Sequence, residues 1–283
     1  MPSENNILIM GIPRSGTTLV CNLINQLPNC VALAEPLNFT GIKDYDNNKR
    51  KLYIDEFLRS SRESLINNGL ATSKQLFGEI PENPCATNAN SNELRKSRMQ
   101  NGLIKIEKEL SQSFTLVLKH NSGFVAQLNL LLQHYQCFGI IRNPLSVLVS
   151  WSSIDMPVHY GFSPVAELFD SELRDNLHKI VHSLDRQIYL LGWFFEKMSK
   201  KLTEKKILKY EDLIACDGTL INRIIPFAEI PPRTLNNTNK KFDIDKVTLN
   251  DMYNKLIINS QSYEKYYSID DIQRKYEELL QFI

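Results

Sequence analysis

Residues 5–27, NNILIMGIPRSGTTLVCNLINQL, decide the fold. A short apolar strand over 7–10 runs directly into Gly11-Ile12-Pro13-Arg14-Ser15-Gly16-Thr17-Thr18, and an apolar-periodic helix over 16–27 follows at once. At such a turn the first backbone N–H groups of the helix have no acceptor inside it, and the positive end of the helix dipole favours an anion. Gly11 and Gly16 permit the tight backbone path. Arg14, Ser15, Thr17 and Thr18 add side-chain donors. Residues Pro13, Arg14, Ser15, Gly16, Thr17 and Thr18 are therefore expected to cradle a phosphate-type ligand.

The loop departs from a Walker A sequence. Gly11 and Gly16 have the right separation, but Thr17 stands where GxxxxGK[ST] has lysine, and the basic residue lies inside the loop as Arg14. That substitution, and the lack of a clear Mg²⁺-binding carboxylate segment, disfavour a nucleoside-triphosphate kinase or ATPase. The arrangement resembles the 5′-phosphosulfate loop of sulfotransferases that use 3′-phosphoadenosine 5′-phosphosulfate (PAPS). Its PRSGTT form looks most like the tyrosylprotein and bacterial-type branches.

Two further segments carry the resemblance. Residues 136–141 read as a strand, and RNPLSVLVSW (142–151) begins where it ends. Arg142 then sits at the C-terminal edge of a buried strand, Pro144 suits an early helical position, and Ser150 follows about two turns along the helix. By themselves these residues read equally as a helix-start charge and a packing serine. The segment resembles the family's 3′-phosphate segment, which implies that Arg142 and Ser150 contact that phosphate. KILKYEDL at 206–213 resembles the family's YEDL segment and implies that Tyr210 lies near the adenine. Otherwise Tyr210 is a partly buried strand aromatic.

Composition bounds the rest. The 283 residues suffice for one substantial α/β domain spanning 1–283, and 42% hydrophobic with 23% charged residues is ordinary for a globular protein. A formal charge of +1 offers no broad attraction for nucleic acid or polyanionic glycans. The five cysteines, Cys21, Cys30, Cys85, Cys137 and Cys216, show neither CxxC nor Cys/His metal spacing, so no metal is expected. They suit a reducing compartment, and the polar start with an interrupted apolar run gives no signal peptide or membrane span, so a cytoplasmic location is expected.

Along the chain, 31–34 reads as a second strand, 51–67 as a helix, 114–119 as a strand, 120–123 as a loop, 124–134 as a helix, and 206–209 as another strand. Leu173, Leu177, Ile180, Leu184, Ile188 and Leu191 repeat at spacings of three or four and read as core. Residues 81–97, rich in Asn, Ser and Pro, read as an exposed insertion within a region, 37–102, that would cap the substrate site. The alternation implies an α/β fold: a single P-loop-like domain with a mainly parallel sheet flanked by helices.

Sulfonate transfer needs charge stabilisation and, for a hydroxyl acceptor, a base. Arg14 suits the departing charge. Glu35, in LAEP at the end of the second strand, resembles the tyrosylprotein branch's catalytic glutamate. Lys119 and His120 are adjacent where cytosolic members have KxH, and neighbours in a continuous strand point to opposite faces, so both enter one site only if the strand has ended or twisted. Lys119 is a candidate for the bridging oxygen or sulfonate; Glu35 and His120 are alternative bases. The family's C-terminal RKGxxGxxK pattern is absent, leaving Lys240 and Lys241, with Lys246, as candidate cations over the 3′-phosphate. The expected activity is transfer from PAPS, yielding adenosine 3′,5′-bisphosphate (PAP), to a hydroxyl or amino group of a small polar metabolite or natural product, without a required metal, by a monomer or homodimer. Peptide-tyrosine or carbohydrate O-sulfation, and a noncatalytic nucleotide-binding module, are the alternatives.

Overall fold

Five of the apolar runs form one sheet because each is short, nearly free of polar residues and closed by a turn or helix start. The computed structural model describes residues 5–85, 94–226, 228–229, 234–235 and 244–283. Its strands are β1 (Asn6–Gly11), β2 (Cys30–Ala34), β3 (Leu70–Gln75), β4 (Gln100–Lys105), β5 (Thr115–Lys119), β6 (Gln136–Ile141) and β7 (Ile207–Lys209). Sheet order is β2-β5-β1-β6-β7, with every pairing parallel. Leu8, Ile9, Met10, Ala32, Leu33, Val117, Leu118 and Ile140 are fully inaccessible, the pattern of a parallel sheet covered on both faces. The expected α/β fold with a mainly parallel sheet flanked by helices is the observed one.

The helices are α1 (Thr17–Asn25), α2 (Asn47–Asn68), α3 (Asn121–Ala126), α4 (Leu128–Leu131), α5 (Pro144–Ser152), α6 (Pro164–Glu167), α7 (Ser171–Lys179), α8 (Ser183–Lys201), α9 (Tyr210–Ala215), α10 (Lys246–Ile258) and α11 (Ile269–Leu280). None among the described residues is long and apolar enough to cross a membrane. Within the expected stripe Leu173, Leu177, Ile188 and Leu191 are buried, whereas Ile180 takes an extended conformation that separates α7 from α8.

Register makes the strand ends level. Lys119 pairs with both Ile9 and Ala34, Gly11 with Ile140, and Ile141 with Lys209. Glu35, His120, Arg142 and Tyr210 are consequently each the first residue past a strand, and the loop after Gly11 rises among them. The chain serves β2 and β5 on one side of β1 and β6 and β7 on the other, so the winding reverses beside β1, where open α/β sheets place their ligands.

Several local expectations are corrected. The loop expected at 120–123 is largely helical, because the chain turns into α3 directly after His120. The helix expected over 124–134 is broken at Gln127, between α3 and α4. The 51–67 helix begins at Asn47, where Asp46 caps it by accepting from the Lys49 N–H, and ends at Gly69 with φ 66°.

The larger difference is the antiparallel β3–β4 ribbon, which begins within 37–102 and ends just past it at Lys105, and for which no strand was expected. Ser73 stitches it to the main sheet: the Ala34 N–H donates to Ser73 Oγ at 2.9 Å. The described flanks of 81–97 are also tied down. Cys85 is buried and bridges Ser97, and Arg95 bridges Ile154 and donates to Ser153 Oγ at 2.6 Å.

Candidate active site

The turn after β1 is held chiefly by its neighbour β6. The Ile12 N–H donates to the Ile140 carbonyl at 3.2 Å, Ser15 Oγ donates to the same carbonyl at 2.9 Å, and the Ser15 N–H closes onto the Ile12 carbonyl at 3.0 Å. Trp151 Nε1 donates to the Pro13 carbonyl at 2.8 Å, so this fully buried aromatic from α5 pins the loop. Arg14 and Gly16 both have left-handed backbone, φ 73° and 88°. At Gly16 only glycine fits. A Cβ there would stand 2.5 Å from Tyr210 Cδ2 as well as being conformationally strained.

The helix that follows is open at its start. No side chain caps α1, whereas Asn143 accepts from the Leu145 and Ser146 N–H groups at the start of α5, at 3.1 and 3.3 Å. The first-turn N–H groups of α1 thus lack both intrahelical and capping acceptors, and Thr17 and Thr18 face the cavity above them. Ser15 does not line that cavity; its hydroxyl serves β6. Arg14 lines it, with Nε donating to Ser150 Oγ at 3.3 Å and Nη2 to Asn83 Oδ1 at 3.1 Å. Ser150 is buried beneath the guanidinium.

Arg142 stands at the adjoining strand end. Its Nη1 donates to the Arg14 carbonyl at 3.2 Å, and its Cζ lies 4.5 Å from the centre of the Tyr210 ring. Nε of Arg142 is buried without a partner among the described residues. A buried charged donor is costly to leave unpaired, so this N–H marks a place for an acceptor that the described residues do not supply. The start of α5 is held from α9 and from the 263–268 turn: the Asn143 N–H donates to Glu211 Oε1 at 2.9 Å, and the Tyr267 hydroxyl to Glu211 Oε2 at 2.8 Å.

Across the cavity lies a carboxylate between two lysines. Lys119 Nζ donates to Glu35 Oε1 at 2.7 Å, and Lys74 Nζ, from β3, donates to Oε2 at 2.6 Å. Glu35 has φ 47°, and its N–H donates to the Lys119 carbonyl at 2.7 Å. Burial pushes its carboxyl upward, but Lys119, His120 and Lys74 together outweigh that and hold it well below the usual carboxylate range.

His120 takes a different place. β5 ends at Lys119, and the neighbouring side chains part: Lys119 lines the cavity, whereas His120 packs edge-on against Phe39 with ring centres 4.5 Å apart and does not line it. Burial, only partly opposed by Glu35, lowers the imidazole to about 4, so it is neutral at pH 7.

Pro13, Arg14, Gly16, Thr17, Thr18, Glu35, Lys119, Arg142 and Tyr210 all border one cavity of about 310 Å³. Lys240 and Lys241 lie outside the described residues; Lys246 opens α10. Lys74, Asn83 and Asn121 border the same cavity and were not anticipated. Asn121 lies two residues past the strand end and its Oδ1 is buried without a partner among the described residues, a position that strand-end reasoning could have reached. Lys74 and Asn83 carry no local signal. The assembled groups can hold a phosphorylated ligand at an open helix start and a guanidinium, and accept a proton at a carboxylate.

A family model described as "Sulfotransferase domain" matches residues 4–279. No curated protein sequence matches the chain. With the match covering nearly its whole length, the chain belongs to the PAPS-dependent sulfotransferase family.

Proposed function

We propose that this chain transfers a sulfonate group from PAPS to a hydroxyl or amino group of a small polar metabolite or natural product. One observation carries the reading: the uncapped start of α1, Arg14 and the Glu35–Lys119 pair open onto the same cavity as Arg142. The residues fit a donor with phosphate at two positions. The open helix start beside Gly16 suits the 5′ side, and the unpartnered Nε of Arg142 suits the 3′-phosphate.

When bound, the donor supplies an electrophilic sulfur and a phosphate leaving group. Pro13, Arg14, Gly16, Thr17 and Thr18 would hold the 5′ side, with Ser15 bracing the loop on β6; Arg142 and Ser150 would serve the 3′-phosphate and Tyr210 the adenine, with Lys240 and Lys241 as further candidate cations for the 3′-phosphate. Glu35, kept ionised, accepts the acceptor's proton. Arg14 and Lys119 offset negative charge gathering at the bridging oxygen. His120, neutral and packed on Phe39, shapes the wall behind Lys119. The PRSGTT loop resembles the tyrosylprotein and bacterial-type branches, and the glutamate of LAEP that of the tyrosylprotein branch; neither resemblance assigns the acceptor. Five free cysteines suit a cytoplasmic setting.

Calorimetric titration with PAP, against 5′-AMP and ATP at equal salt, tests the donor site. Selective binding of the bisphosphate is expected and leads to an acceptor screen with labelled PAPS. Equal or absent binding of all three by folded protein rejects the reading.

A further inference from the structure

The carboxylate of Glu35 has one lysine on each oxygen, Lys119 on Oε1 and Lys74 on Oε2. An oxygen that already accepts from an ammonium group keeps a second lone pair but is a weaker base, so withdrawal of one lysine raises the proton affinity of Glu35. The two are not equivalent. Lys119 is 4% exposed at the end of β5 and shares the cavity with Arg14, whereas Lys74 is 41% exposed and comes from the β3–β4 ribbon. That ribbon is fastened one residue before Glu35: Ser73 Oγ accepts from the Ala34 N–H at 2.9 Å and donates to the Lys74 carbonyl at 2.9 Å.

We infer that Lys74 is a positioning residue: it keeps its bond to Oε2 and holds Glu35 ionised and oriented, while Lys119 turns from Oε1 to the anionic sulfonate and frees Oε1 for the acceptor's proton. The inference rests on the proposed reading of the site and adds a residue and a division of labour to it. The other groups around Glu35 do not substitute for Lys74. His120 is neutral, Cys21 from α1 is a protonated thiol pushed up to about 12 by burial, and Arg14, across the cavity, is engaged with Ser150 and Asn83. Without Lys74, the arrival of an anion that draws Lys119 away would leave Glu35 uncompensated, and Glu35 would take a proton from solvent rather than from the acceptor.

The test is a ¹³C NMR titration of glutamate carboxyl carbons in the full chain, with and without PAP, the Glu35 signal assigned by its absence in E35Q. In the wild type Glu35 stays ionised through the weakly acidic range in both states. In K74M its titration is expected to move upward by about 1 pH unit or more in both states, and K74R is expected to restore the wild-type curve. A K74M curve that overlays the wild type overturns the inference, as does one that K74R fails to restore. If K74M does not fold, K74Q decides by the same criteria. Failure of the functional reading is read separately, as absence of PAP binding to the wild-type protein.

Discussion

The two sides of the cavity are built from different materials. On the β1 side the binding surface is main chain: a left-handed glycine, an uncapped helix start, and a loop hung from β6 through Ile140 and from α5 through Trp151. On the β2 side it is side-chain charge: one carboxylate and two lysines from β5 and a separate ribbon. A main-chain site is set by conformation and is damaged by anything that moves the backbone. A charge site is set by ionisation and is damaged by removing one proton or one amine. Substitutions on the first side should therefore act on donor binding and stability, and those on the second on transfer and pH response.

The hardest test of that division is Glu35→Gln, expected to lower transfer by about 10²–10⁴-fold while leaving PAP binding by calorimetry unchanged; weakened binding would break the comparison. Next is pH. Buried His120, at about 4 in the folded chain against 6.5 for an ordinary histidine, binds its proton more tightly when unfolded. Its contribution to stability is complete above pH 6.5 and is lost as pH falls toward 4, reaching about 3 kcal/mol. Glu35, held low, loses its own contribution only at still lower pH. Chemical denaturation across that range should show the decline, and H120N should flatten it.

On the main-chain side, Arg142→Ala is expected to weaken PAP about 10- to 100-fold, the value of a charge-assisted bond, without changing 5′-AMP binding. Equal loss for both nucleotides would mean that the guanidinium acts only by bracing the Arg14 carbonyl. Gly16→Ala is expected to cost about 1–3 kcal/mol of stability from left-handed strain and to weaken PAP and 5′-AMP alike by about tenfold or more. Unchanged binding would show that the loop does not depend on this backbone path.

Much of the first side was legible because it is contiguous. An apolar strand, two glycines and a periodic helix within residues 5–27 specify the turn locally, and RNP at 142–144 does the same for the neighbouring strand end. On the second side the strand-end residues Glu35 and Lys119 could be named, but not how they meet. Lys119 and His120 are adjacent in sequence, yet only the end of β5 and the ring of Phe39 determine that one enters the cavity and the other leaves it.

The sequence by itself determined the layered fold, the order of its motifs and the open helix start, because these follow from periodicity and turn chemistry among near neighbours. Tertiary structure alone decided that Lys74 meets Glu35 and Asn83 meets Arg14. Their contacts span 39 and 69 positions of chain. β3 and β4 pair across an excursion with no tight-turn signal. Such long-range pairing is chosen by the burial and hydrogen bonding of the whole sheet edge, which no local run of residues encodes.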